Sequence, residues 1–295
     1  MQDIRPETTV AQIEAMPEFA GFGHLVFPVD RPVNKTATLS DLANNGTYVW
    51  YSNLRADVFA SALSKLKSEA DAGEQIFFPI YSDAEIAQDP SKADTGLFLF
   101  RGEPGAPFAI VNAGGGFAYV AALHDSFPQA DEISDAGLNA FALIYRPDDP
   151  YADLARAIAF ICDNAADLDV ARDRYSLWGG SAGARMAATL GNQQSLRQLT
   201  ERSDIPQAAA IVMQYTGYSA ASPYDAPTYI NVGTYDGIAN WQTMQSRADA
   251  LQQQYGIPTE IHVYDGLSHG FGTGKGTIAQ GWTDDAIAFW RSNIH

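Results

Sequence analysis

Three features of the 295-residue chain predict an α/β protein, with a mostly parallel eight-stranded sheet covered by helices on both faces. From about residue 75 onward, short apolar runs alternate with helical stretches. The runs are nearly continuous in Val, Ile, Leu, Phe and Ala, as strands buried on both faces must be. No helical stretch separates the first two or three runs, which predicts an antiparallel edge ahead of the parallel core.

Taken in order, the elements begin with an irregular stretch. PEFAGFGHLVFPVDRP mixes aromatics, glycines and prolines without a period, as an ordered loop packed on another surface does. Between Asn53 and Gly73, Phe59, Leu63, Leu66 and Ala70 recur at steps of four, three and four. That spacing predicts an amphipathic helix, and Gly73 supplies its stop. The strand candidates follow: QIFFPIY (75–81), GLFLF (96–100), FAIVN (108–112), NAFALIYR (139–146), RYSLWG (174–179), AAIVMQY (209–215), TYINVG (228–233) and EIHVY (260–264). Helices are predicted at 150–166, 182–191, 238–255 and 283–292, with Cys162 and Met186 turned toward the sheet. No repeat or linker divides the chain. Residues 1–74 therefore read as an N-terminal extension on a core at 75–295, one domain overall. In the extension, Phe19, Phe22, His24, Phe27 and Pro28 suit either a lid over a site or a strap across a sheet edge.

Composition narrows the function. Hydrophobic residues make up 46% and charged residues 18%, enough for a large core and too apolar for a disordered chain. Lys and Arg number 18 against 35 Asp and Glu, a net charge of −17. Such a surface repels phosphate backbones and anionic headgroups, so nucleic acid and membrane partners are not expected. A single cysteine, Cys162, excludes an intrachain disulfide and leaves the compartment open. No run approaches the roughly 18 apolar residues of a membrane span. MQDIRPETTV lacks the basic start and apolar stretch of a secretory signal, although a signal removed earlier would leave the same start.

In parallel sheets the reactive groups stand just past the carboxyl ends of the strands. Three junctions carry chemistry. Gly179-Gly180-Ser181-Ala182-Gly183 lies between RYSLWG and the helix ARMAATLG, a G-x-S-x-G in a strand–turn–helix setting. The turn that exposes a nucleophilic serine needs small neighbours, and the helix behind it points N–H groups at developing negative charge. Asn112-Ala113-Gly114-Gly115-Gly116-Phe117 follows the strand FAIVN. Consecutive glycines let the backbone turn its N–H groups toward a ligand. With Ala182, Gly115 and Gly116 are the candidate donors of an oxyanion hole.

A base and an acid complete the set, in the chain order serine, acid, histidine. Of five histidines, His24 and His124 precede the serine, His262 lies inside a strand and His295 is terminal. His269 remains, in the glycine-flanked loop LSHGFG after EIHVY. Asp236 follows TYINVG, 55 residues after Ser181 and 33 before His269, an interval that fits one strand–helix unit. Asp225 precedes its strand, and Asp265, four residues from His269, suits a turn. Ser181, Asp236 and His269 thus form the candidate catalytic triad. Phe117, His24 and Trp241 are the candidate pocket residues. No His, Cys or Asp cluster has metal-ligand spacing, so neither metal nor cofactor is expected. A histidine base must be neutral, which predicts activity falling below about pH 6–7.

AGGGF, LNAFALIYR, RYSLWGGSAGARMAA, MQYTG, GTYDGIANW and HVYDGLSHGFG together resemble bacterial α/β-hydrolases of the acetyl esterase and acetylxylan/feruloyl esterase-like group, over about residues 75–295. The resemblance implies the α/β-hydrolase fold and a serine carboxylesterase acting on short acyl groups. Its substrate would be a small-molecule or carbohydrate ester, with acetyl or feruloyl esters of plant polysaccharides as candidates. It implies the same triad. The group's oxyanion loop commonly reads PGGG or HGGG, so Ala113 departs from it, with little consequence for backbone donors. Two rival readings are a serine peptidase of the prolyl-oligopeptidase type and a non-catalytic α/β-hydrolase used as a binding protein. The first usually carries a propeller, of which the sequence has no repeat; the second typically lacks one member of the triad.

Overall fold

Apolar runs form the sheet where both of their faces are covered. The computed structural model describes residues 3–294. Its eight strands are β1 (Phe77–Pro79), β2 (Gly96–Phe100), β3 (Pro107–Asn112), β4 (Asn139–Ile144), β5 (Ala171–Gly180), β6 (Ala210–Gln214), β7 (Thr228–Gly233) and β8 (Thr259–Tyr264). They make one sheet in the order β1-β2-β4-β3-β5-β6-β7-β8. β1 and β2 run antiparallel to their neighbours, and β4 through β8 are parallel. The antiparallel edge and parallel core are as expected. Every residue of β2, β4, β6 and β7 is buried, which accounts for their uninterrupted apolar sequence. Two strands differ most in length from expectation. β5 starts at Ala171, which pairs with Pro107 ahead of a register shift, so the polar residues 172–174 precede the buried run that begins at Tyr175. β1 stops at Pro79, whose nitrogen cannot donate to a ladder.

The helices cover this sheet with matching apolar stripes. Ala56–Asp71 buries Phe59, Leu63 and Leu66 completely, and Gly73 ends it with φ +90°. Pro150–Asp163 begins with proline at its first turn, where no N–H partner is lost. Ala182–Gly191 falls on the predicted bounds, and Cys162 and Met186 are buried. Trp241–Asp249 passes into a wider π-turn at Ala250–Gln254, and Trp282–Ser292 closes the fold. Phe127–Asp135, the crossover between β3 and β4, escapes a periodicity reading because Gln129 and Ser134 lie in its buried stripe. Short helices at Val10–Glu14, Leu39–Asn44 and Asp83–Gln88 each begin with a capping box, at Thr9/Gln12, Thr38/Asp41 and Ser82/Glu85. The boxes were available signals; the helices are too short for a period.

The extension has two tasks. Phe19 and Phe27 are buried, and Phe22 stacks on Phe77 at 5.0 Å and meets Phe98 at 5.8 Å. Residues 17–28 thus pack along the antiparallel edge of the sheet. Residues 49–53 instead reach the carboxyl end of the parallel strands, where the hydroxyl of Tyr51 bonds to Asp125 and Ser52 bonds to the loop after β8.

Candidate active site

Ser181 is the hinge between β5 and the helix Ala182–Gly191, with φ 52° and ψ −114°. A non-glycine residue at positive φ is strained, and here the strain lifts the hydroxyl out of the chain path. The fold tolerates the turn because the glycines that flank it have no side chains. A Cβ at Gly180 would collide with the carboxylate of Asp125, and one at Gly183 with the carbonyl of Asn112. The Ser181 N–H donates to the Gln214 carbonyl at 2.9 Å, tying the turn to β6.

Asp236 and His269 arrive from the ends of β7 and β8. His269 Nδ1 lies 2.8 Å from Asp236 Oδ2, and its Nε2 lies 3.1 Å from Ser181 Oγ. A carboxylate only accepts, so Nδ1 carries the proton and the Nε2 lone pair faces the serine hydroxyl. The other oxygen of Asp236 accepts N–H bonds from Ile238 at 2.8 Å and Ala239 at 2.7 Å, which aims the carboxylate. The Asp236 side chain is fully buried and that of His269 is 6% exposed, so water competes little for the relay.

The rival groups are engaged elsewhere. Asp225 pairs with buried Arg247 at 3.2 Å, and Asp265 accepts from Thr234 Oγ1 at 2.9 Å. His262 stacks on Tyr229 at 4.9 Å, and His295 lies outside the described residues. His124 is buried beside the loop after β8, with Nε2 donating to the Gly270 carbonyl at 2.9 Å; burial pushes its pKa down to about 4 and keeps it neutral.

The glycine-rich loop meets the serine face to face. A Cβ on Gly114 would lie 2.8 Å from that of Ser181 and 2.5 Å from Tyr51 Oη. The Gly114 N–H is committed to Asp125 Oδ2 at 2.8 Å. Among the described residues, the N–H groups of Gly115, Gly116 and Ala182 have no hydrogen-bond acceptor within the protein. Gly115 and Gly116 have φ of +127° and +64°, positive-φ backbone that glycine adopts at little cost. Ala113 is buried, and its carbonyl accepts from Tyr145 Oη at 2.6 Å, so the loop is anchored without a histidine.

The three expected pocket residues have different neighbours. Phe117 continues the loop at φ +56°, its ring 5.9 Å from Tyr151 and 6.5 Å from Tyr145. Trp241 is half-buried and lines a cavity of about 330 Å³ with Asp236, Thr234 and Ile238. His24 is not brought to the triad. Its ring pairs with Asp94 at 2.9 Å in a separate cavity lined by Phe27, Pro28 and Arg31, because residues 17–28 follow the sheet edge.

A buried hub lies behind these groups with no sequence signal. Asp125 accepts from Tyr215 Oη at 2.5 Å, Tyr51 Oη at 2.8 Å and the Gly114 N–H. It ends a four-residue helix without a motif, and Tyr51 comes from 74 residues upstream, so only the folded chain brings them together. The ring of Tyr215 stands edge-on to His269 at 5.1 Å. Burial raises the pKa of Asp125 to about 6, against the lowering pull of Tyr215, Gly114 and Tyr51.

Glu69 and Glu132 are likewise raised by burial, each to about 7. The folded protein therefore keeps protons that the unfolded chain releases near its ordinary carboxyl values. Because the unfolded state binds fewer protons there, these three groups make stability fall as pH rises from about 4 to about 7. Buried His124 acts in the opposite sense over much of that range, one group against three. Thermal melts are expected to give a higher Tm at about pH 5 than at about pH 7.5, with the difference shrinking in Glu69→Gln and Glu132→Gln. A Tm that climbs steadily over that range would contradict this assignment.

Among the described residues, no helix is long and apolar enough to cross a membrane, and no group of three or more His, Cys, Asp or Glu is placed to hold a metal ion.

Residues 111–245 match the sequence profile of the BD-FAE family, a segment that holds the glycine loop, Ser181 and Asp236. No curated protein matches the chain. Solved structures share its fold. An acetyl ester-xyloside bifunctional hydrolase from Caldicellulosiruptor lactoaceticus is 21% identical with a TM-score of 0.63, over 73% of this chain and 95% of that one. Esterase 2 of Thermogutta terrifontis is 23% identical with a TM-score of 0.60, over 68% and 91%. MGS-M1, an α/β hydrolase enzyme from a Medee basin deep-sea metagenome library, is 19% identical with a TM-score of 0.57, over 68% and 92%.

Proposed function

We propose that this α/β-hydrolase is a serine carboxylesterase that cleaves short-chain esters through an acyl-enzyme, with acetylated carbohydrates as the favoured substrates. One observation carries the reading: a serine–histidine–aspartate relay at 3.1 and 2.8 Å, beside a glycine loop and helix start whose Gly115, Gly116 and Ala182 N–H groups have no protein acceptor among the described residues. Esterase names among the structural relatives and the BD-FAE match over the central segment support it.

Ser181 Oγ adds to the acyl carbonyl as its proton passes to His269 Nε2, and Asp236 stabilises the imidazolium. The N–H groups of Gly115, Gly116 and Ala182 receive the oxyanion, aided by the positive end of the helix Ala182–Gly191. His269 then returns the proton to the departing alcohol. Water, deprotonated by His269, attacks the acyl-enzyme and releases the acid.

Short acyl chains suit this site. Tyr51 Oη and the serine both crowd Gly114, and Phe117 with Tyr145 and Tyr151 walls the loop. Where a channel receives the chain, each buried methylene contributes about 0.8 kcal/mol, so kcat/KM would climb from C2 to C8. The expected result with p-nitrophenyl esters is the reverse, C8 being at least about tenfold poorer than C2 to C4. The same panel run with acetylated xylan and methyl ferulate separates acetyl from feruloyl preference. A monotonic rise through C8 and C10 would overturn the short-chain reading.

A further inference from the structure

Trp50 does not behave as a core residue. It is 50% exposed, and its backbone adopts φ +73°, a conformation that bulky residues seldom take. Such strain persists only where the surroundings impose it. Here the anchors lie on both sides. Tyr119 Oη donates to the Val49 carbonyl at 2.8 Å, and Tyr51 Oη donates to Asp125 at 2.8 Å. Ser52 follows, its N–H bonding the Gly270 carbonyl at 3.1 Å and its hydroxyl the His269 carbonyl at 2.8 Å. Residues 49–52 therefore bridge the oxyanion loop and the histidine loop, and Trp50 projects from the bridge.

The indole sits against the oxyanion loop itself. It stacks on Tyr119 at 6.1 Å with 29° between the planes, and a Cβ on Gly116 would lie 2.9 Å from Trp50 Cζ3. A rigid, flat, half-wet aromatic surface thus adjoins a candidate oxyanion donor. A flexible acyl chain gains most from a covered channel. A surface that is apolar on its face and wet at its rim instead matches a ring with C–H groups on its face and hydroxyls around its edge. With the protein at −17, an uncharged ring is favoured over an acidic one.

Building on the esterase reading, we infer that Trp50 is a specificity-determining platform on which the neutral pyranose ring of an acylated sugar stacks while its ester lies at Ser181. The N-terminal extension then contributes substrate recognition as well as packing on the sheet edge.

The test compares an ester with a sugar ring and one without. Hydrolysis of acetylated methyl xyloside and of ethyl acetate is followed by pH-stat for the wild type, Trp50→Ala and Trp50→Phe. Trp50→Ala is expected to lose about tenfold more kcat/KM on the xyloside than on ethyl acetate, mainly through KM, and Trp50→Phe to recover most of it. Equal losses on both esters, carried by kcat, would make Trp50 a structural support and overturn the inference. So would no loss on either, or a wild type that cleaves ethyl acetate but not the xyloside. A wild type inert toward both would instead overturn the esterase reading beneath it. Melting temperatures of both variants within a few degrees of the wild type show that the bridge still folds.

Discussion

Ser181→Ala is expected to lower kcat by about 10⁴–10⁶ while leaving the fold in place, since only the oxyanion donors and binding groups then act. The fold should survive because the turn depends on Gly180 and Gly183, not on the hydroxyl. Alanine at φ 52° is about as strained as serine, and the Ser181 N–H bond to Gln214 belongs to the backbone. A melt matching the wild type, with kcat at the residual level, is the expected pair of results. Retention of more than a tenth of wild-type kcat would assign the nucleophile to another residue.

Asp236→Asn is expected to cost about 10⁴ in kcat, for a reason visible in its hydrogen bonds. One oxygen is committed to the N–H groups of Ile238 and Ala239, so an asparagine keeps its carbonyl there and turns its amide N–H toward His269 Nδ1. The imidazole must then carry its proton on Nε2, facing Ser181 with a donor where a base is needed. Asp265→Asn is the clean control, because its partner is Thr234 and its effect should be mild. Asp225→Asn is a control for chemistry only. It strips buried Arg247 of its charge partner at a cost of about 3 kcal/mol in stability. A crippling effect of Asp265→Asn on kcat, with Asp236→Asn mild, would move the acid to the wrong side of the loop.

The legible part of the molecule is the part where one physical cause dominates. GLFLF and TYINVG are fully buried strands, so their bounds could be read directly. The grouping of Ser181, Asp236 and His269 was legible because each lies within five residues past the end of a core strand, and the fold brings those ends together. The polar start of β5 and the mixed stripe of Phe127–Asp135 were not readable, because pairing and packing there do not depend on apolar periodicity. Asp125, Tyr51 and Tyr215 had no signal at all. Their juxtaposition comes from three distant segments, and local patterns carry no information on it. His24 shows the converse error: a histidine among aromatics suggested a pocket, whereas the chain there follows the sheet edge to Asp94.

The most direct measurement of the central claim is covalent labelling by an organophosphonate ester, read by intact mass and peptide mapping. A serine made nucleophilic by His269 and Asp236 should take up one phosphonyl group per chain, on the peptide containing Ser181, and ester hydrolysis should fall in proportion. Ser181→Ala should take up none. Labelling at another residue, or hydrolysis that survives complete labelling of Ser181, would contradict the account.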